Sequence, residues 1–169
     1  MKTIAPLDFS NVIAFLIPGF VSFYALKYFS PPISGIIEKS LSDNSNVGAM
    51  LVLLLSSLGI GIIVSAFRSL TLDKICLKFP DLDYSKLADE KRLAAFNEVI
   101  TNIFRYSQFY GNMFISIFVL MLGNIYAVLN LNQNVIFYIA LITTMGILWK
   151  SHHRDLKATY DRLKEIIPK

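Results

Sequence analysis

Val47 to Phe67 (VGAMLVLLLSSLGIGIIVSAF) runs for 21 residues without a charge, a proline, an asparagine or a glutamine. At about 1.5 Å of rise per residue, a helix of that length covers about 30 Å, the hydrocarbon thickness of a bilayer. The stretch is therefore read as a transmembrane helix, with Arg68 following it at the headgroups. Ser57, Gly61 and Ser65 recur every four residues and share one face of this helix. Small side chains let a second backbone come close, which in lipid favours helix association, within one subunit or between subunits.

The rest of the chain agrees. It is 54% hydrophobic and 17% charged, against about 25% charged for an ordinary soluble domain, and its apolar residues lie in long blocks. A formal charge of +4 follows from the excess of Lys and Arg in cytoplasmic loops, so no nucleic-acid binding is expected. A single cysteine, Cys76, excludes an internal disulfide and a cysteine-based zinc site.

Three further spans are expected. Asn11 to Phe29 is the first; only Lys2 precedes it as a basic residue and Tyr28-Phe29-Ser30-Pro31-Pro32 follows, which fits a retained helix better than a cleaved signal peptide. Pro18-Gly19 near its middle predicts a kink. Met113 to Leu131 is the third span, Asn132 to Asn134 a turn, and Val135 to Trp149 the fourth. The loop at 30–46 holds at most a short interfacial helix over 33–41. The polar segment 68–110 is split by Pro80, with a turn at Asp81-Leu82-Asp83. Beyond it, Leu93, Phe96, Ile100, Ile103 and Phe104 repeat at three and four residues, an amphipathic helix that Gly111-Asn112 is expected to end in a bend. In the tail 150–169, Leu156, Tyr160, Leu163 and Ile167 again share one helix face. The fold class is all-α: a polytopic membrane protein, a single membrane domain over 1–169, with four transmembrane helices (about 11–29, 47–67, 113–131 and 135–149) and cytoplasmic amphipathic helices.

Orientation follows from charge. Segment 68–110 holds seven of the sixteen basic residues and the tail six, whereas the loop at 30–46 holds one and the turn at 132–134 none. Four spans put both basic regions on one side, so they and both termini are expected in the cytoplasm, with the protein in the cell inner membrane.

Aligning the spans by their midpoints brings Pro18-Gly19, Ser56-Ser57, Gly123-Asn124 and Thr143-Thr144 to one depth. Asn124 needs a hydrogen-bond partner there: Ser57, Thr143 or a backbone carbonyl inside the bundle, or a polar ring around an oligomer axis. Ser57, Gly61, Ser65 and Asn124 are thus the candidate helix-packing or oligomer-interface residues. No Asp, Glu, Arg or His lies at the middle of a span, which argues against an ion-coupled transporter.

Catalytic chemistry is not expected. Adjacent His152 and His153 point about 100° apart on a helix and lack a third ligand, so they are read as interfacial histidines and not as a metal site. Asp81 and Asp83 are read as turn formers. Cys76 has no paired base nearby in sequence, and no Walker loop, HExxH or nucleophile elbow occurs. No cofactor is implied. The densest polar-aromatic cluster is Arg105 to Asn112; its Arg105, Tyr106, Phe109 and Tyr110 suit an interfacial belt, or a site for a partner or a lipid headgroup.

In overall plan the chain is similar to small bacterial multi-pass proteins that serve as membrane subunits of anti-phage systems, such as the membrane component of Kiwa. The resemblance implies a four-helix anchor that holds a cytosolic effector, and it specifies no residue. The leading expectation is a bacterial inner-membrane scaffold or sensor subunit that forms a homo-oligomer, contacts membrane lipid and recruits a cytosolic protein partner, in phage defence. The alternative is an oligomeric pore with Asn124 or Ser57 facing the lumen.

Overall fold

The computed structural model describes residues 9–42, 46–76, 84–127 and 135–167. The described residues are helical nearly throughout, and none lies in a strand. Helix α1 (Phe9–Leu26) is followed by α2 (Pro31–Leu41), which opens on two prolines whose missing N–H groups are no loss in a first turn. The Asn46 side chain accepts from the Ala49 N–H and so caps α3 (Val47–Leu70); Thr71 separates α3 from the short α4 (Leu72–Cys76). A 3-10 turn (Tyr84–Ala88) leads to α5 (Glu90–Val99), capped by Asp89. A π-helical turn (Ile100–Phe104) joins α5 to α6 (Arg105–Ala127), and α7 (Val135–Ile166) ends the fold.

Helix α1 is the central element. It packs on both α3 and α6, and α6 packs in turn on α7. Residues 15 to 19 of α1 meet residues 57 to 61 of α3, while Phe23 meets Leu53, so those helices run antiparallel. Ala14, Pro18 and Ala25 lie beside Asn112, Ser116 and Gly123, so α1 and α6 run parallel. Contacts of Phe114 with Trp149 and of Asn124 with Tyr138 make α7 antiparallel to α6. The glycines at 19 and 61 bring α1 and α3 into backbone contact: a Cβ on Gly61 would stand 2.1 Å from the Phe15 carbonyl oxygen, and one on Gly19 1.8 Å from that of Ser57.

Among the described residues, three helical stretches are long and apolar enough to cross a membrane: Val47–Cys76, Glu90–Ala127 and Val135–Ile166. The apolar stretch of α1, Ile13–Leu26, is shorter. Several expected boundaries differ. The first helix ends at Leu26, and Lys27 to Phe29 form a turn. Most of the loop at 30–46 is the helix α2. No bend occurs at Gly111-Asn112, because both residues are sealed inside the bundle and α6 runs straight through them. The fourth apolar block and most of the basic tail form one 32-residue helix, about 48 Å long; Leu156 and Leu163 on it are buried, as is Ile167 just past its end. Pro80, the turn at Asp81-Leu82-Asp83 and the turn at 132–134 lie outside the described residues.

Candidate functional site

Two features occupy the same end of the bundle, the end marked by Ala14. The first is a buried polar cluster. Pro18 has no N–H, so the carbonyl of Ala14, four residues earlier, loses its helical donor. The Asn112 side-chain amide replaces it, donating to the Ala14 oxygen at 3.1 Å. The Oδ1 of Asn112 accepts from Arg68 Nε at 3.1 Å. Arg68 Nη1 then donates to both carboxylate oxygens of Asp73, each at 2.8 Å. Asp73 is within reach because α4 begins just after α3 and folds its first turn back onto Arg68. The guanidinium also lies 5.8 Å from the Phe104 ring centroid.

His152 of α7 completes the cluster. Its Nδ1 lies 2.9 Å from the Ser107 carbonyl oxygen, which can only accept, so Nδ1 carries a proton. Nε2 approaches Asp73 Oδ1 to 3.3 Å. No hydrogen bond forms at that approach, and Nε2 has none. Arg68 is 2% exposed and His152 1%, so charged and polar groups from α3, α4, α6 and α7 are sealed together. Gly111 makes the room: a Cβ there would lie 2.6 Å from Arg68 Cδ and 2.9 Å from His152 Nδ1. Below the cluster, Ser116 donates to the Pro18 carbonyl at 2.8 Å and accepts from Ser22 at 2.9 Å.

Ser107, His152 and Asp73 are the residue types of a hydrolase triad, but their geometry does not serve one. Ser107 is fully buried. The nitrogen beside its hydroxyl, at 3.0 Å, is the Nδ1 that already donates to the Ser107 carbonyl, so it cannot take the hydroxyl proton. The cluster is a clasp between helices.

The second feature is a cleft of about 440 Å³ between α1 and the junction of the π turn with α6. Arg105, Tyr106, Phe109 and Tyr110, the four residues singled out as a partner or headgroup site, all line it. Thr101 and Asn102 of the π turn complete one side, and Ile13 and Ala14 the other. A π turn inserts an extra residue into the helical phase, and here Thr101 and Asn102 join Arg105 on the cleft wall.

No family model matches the chain, and neither a curated protein nor a solved structure matches it.

The remaining predicted positions are scattered. Ser57 and Gly61 are buried against α1 within the chain, and Ser65 lines a separate cleft with Phe15, Arg68 and Asp73. Asn124 stands near the opposite end, where its Oδ1 accepts from the Tyr138 hydroxyl at 2.8 Å. The expected alignment of Gly123-Asn124 with Pro18 and Ser57 is therefore corrected: Ser116 stands beside Pro18, because α6 begins eight residues before the apolar block that set its expected midpoint. Arg68 and His152, expected at the headgroups, point into the protein. Nothing in their spacing marks them as partners, since Arg68 and His152 are 84 residues apart. The one local signal was Asn112 beside Gly111, a small residue followed by an amide at the edge of an apolar block. Among the described residues, no group of three His, Cys, Asp or Glu could hold a metal ion.

Proposed function

We propose that the chain is a polytopic membrane protein whose four long helices, α1, α3, α6 and α7, cross the bilayer. The distribution of polarity supports this reading. Of the most apolar 18-residue windows, 22% of the α3 window and 6% of the α7 window is buried. Ile136, Val47 and Ile63 are 85%, 79% and 67% exposed, while Arg68, Asn112, Ser116 and His152 are sealed inside. A water-soluble protein has the reverse pattern; in lipid, apolar side chains face outward and polar groups pair within the bundle. At 18 residues, or about 27 Å, α1 falls little short of the hydrocarbon core. The excess of Lys and Arg in 68–110 and 150–169 puts the Ala14 end, with its clasp and cleft, in the cytoplasm.

Within that frame the protein acts as a membrane scaffold or sensor subunit that assembles with copies of itself and engages a cytosolic partner. The clasp supports this role, because it ties the cytoplasmic ends of α3, α6 and α7 into one body through the Arg68–Asn112 and His152–Ser107 bonds. Polar groups that a pore would need are bonded within the chain: Asn124 to Tyr138, Ser57 to the Leu53 carbonyl, and Thr143 and Thr144 to carbonyls four residues earlier. That favours the scaffold over a conducting pore. A role in phage defence is carried by the architectural resemblance alone.

The deciding experiment measures the mass of the particle in nanodiscs, alone and after affinity capture from its host. A homo-oligomer with a stoichiometric cytosolic companion is expected. A lone monomer would overturn the scaffold. Thiol labelling of Lys39→Cys and Lys164→Cys in intact cells tests orientation; the first is expected to react with an impermeant reagent and the second is not.

A further inference from the structure

We propose that His152 is a proton-operated latch: a second proton, taken up at Nε2, locks α7 onto Asp73 of α4 and tightens the clasp as the pH falls. The two ends of the ring carry the argument. Nδ1 lies 2.9 Å from the Ser107 carbonyl oxygen and Nε2 3.3 Å from Asp73 Oδ1, so an oxygen acceptor stands at each end. A neutral imidazole has one N–H and one lone pair. With the proton on Nδ1, the Nε2 lone pair stands against a carboxylate and is buried without a bond. With the proton on Nε2, the Nδ1 lone pair stands against the Ser107 carbonyl. Only the imidazolium offers a proton at both ends. Asp73 can receive it: a carboxylate has about four lone-pair sites, and Arg68 Nη1 draws on one at each oxygen. Protonation thus turns the 3.3 Å approach into a charge-assisted hydrogen bond.

Among the described residues, Asp73 is the charge that favours the second proton. From α4 it is joined by the Cys76 thiol, near enough to feel its charge. From α3, Arg68 opposes a second cation, but its guanidinium is committed to Asp73 and Asn112. From α6 the ring meets Ser107 and Gly111, neither of them ionisable, while Arg105 and Tyr110 line the cleft against α1. The π turn over 100–104 carries no ionisable residue. Helix α5 brings Glu98 beside Arg162 and Glu165, farther along α7, and its Glu90, Lys91 and Arg92 are exposed. On α7 itself Lys150, His153 and Arg154 are exposed, Arg154 in a pair with Asp155. The proton has a route, because a cleft of about 400 Å³ reaches Arg68 and Asp73 past Ser65, Ser69 and Gln108. Histidine changes charge between about pH 5 and about pH 8. The contacts with Asp73 and Ser107 exist only in the folded chain, so the folded chain holds the second proton more tightly than the unfolded chain does. Stability then rises as the pH falls through that range and is lost as it rises. That the latch answers to cytoplasmic pH rests on the membrane reading above; the two-ended geometry of the ring does not.

The test follows reversible unfolding of the full chain in mixed micelles at about pH 8 and at about pH 5.5, which bracket the titration of histidine. The unfolding equilibrium constant is expected to fall about tenfold on acidification, the worth of one charge-assisted hydrogen bond. His152→Gln is expected to abolish the response and His153→Gln to keep it. Arg68→Met with Asp73→Leu removes the acceptor and the opposing cation together, and is expected to abolish it as well. An unfolding constant that stays level or rises on acidification of the unaltered protein would overturn the latch. So would a fall that survives His152→Gln. Nuclear magnetic resonance of the ring nitrogens, in protein carrying isotope-labelled histidine, needs no variant. Nδ1 is expected to stay protonated throughout, and Nε2 to gain its proton on acidification. An Nε2 still bare at the acid end, or one that holds the sole ring proton at the alkaline end, would overturn the proposal. A chain that alkaline extraction strips from the membrane would overturn the membrane reading itself, a result distinct from an inserted protein whose unfolding ignores pH.

Discussion

The side-chain amide of Asn112 donates to the carbonyl of Ala14, the one backbone acceptor that Pro18 deprives of its helical donor. A proline in α1 and an asparagine in α6, 94 residues apart, thus solve one problem between them. Ala14 and Asn112 are sealed inside the bundle, so the freed carbonyl needs a partner within the protein. Asn112 also holds Arg68, so the proline, the asparagine and the arginine form one chain of dependence.

That dependence is measurable as non-additivity. Asn112→Leu is expected to destabilise the protein by about 1–2 kcal/mol. Pro18→Ala restores an N–H four residues after Ala14. In that background the cost of Asn112→Leu should fall, by about 0.5–1 kcal/mol. Reversible unfolding of the four proteins in mixed micelles reads the coupling directly; strictly additive effects would refute it.

Asp73 is the counter-charge of a guanidinium that is 2% exposed. Asp73→Asn leaves Arg68 charged and buried without its partner, and is expected to cost about 3–5 kcal/mol. Replacing both together, Arg68→Met with Asp73→Leu, removes the stranded charge, so much of the loss should return. Protease resistance of the detergent-solubilised protein compares the single and the double variant.

Gly59 and Gly61 provide a matched pair on one helix. A Cβ at Gly59 meets nothing within 4 Å, whereas one at Gly61 strikes the Phe15 backbone. Gly61→Leu is expected to separate α1 from α3, at about 3 kcal/mol, while Gly59→Leu should be tolerated within about 0.5 kcal/mol. Thermal unfolding followed by circular dichroism distinguishes them.

The adjacent histidines should behave oppositely. His152 is buried and bonded to Ser107, while His153 is exposed. His152→Ala removes the ring's bond to the Ser107 carbonyl and empties a packed site, an expected loss of about 2 kcal/mol. His153→Ala should stay within about 0.5 kcal/mol. Equal effects in the same unfolding assay would show that the clasp does not depend on the ring.

The sequence by itself determined the helical class and three of the long apolar helices, because an uncharged run such as Val47 to Phe67 has one low-energy conformation wherever water is absent, and that is local information. It also picked out Arg105, Tyr106, Phe109 and Tyr110 as a group, since they form the densest polar-aromatic cluster of the chain, and all four line one cleft. Helix limits were less legible. The π turn at 100–104 shifts the phase ahead of α6, and hydropathy alone could not tell that Ser107 in its polar first turn would be buried. Only the tertiary structure decided the clasp. Arg68 and His152 sit at the edges of apolar blocks, where solvation by headgroups is the default for a lone charge. What turns them inward is the register of α1 on α6, the turn at Thr71 that returns Asp73 to Arg68, and the space left by Gly111. Those are relations among five helices, and no single stretch of sequence contains them.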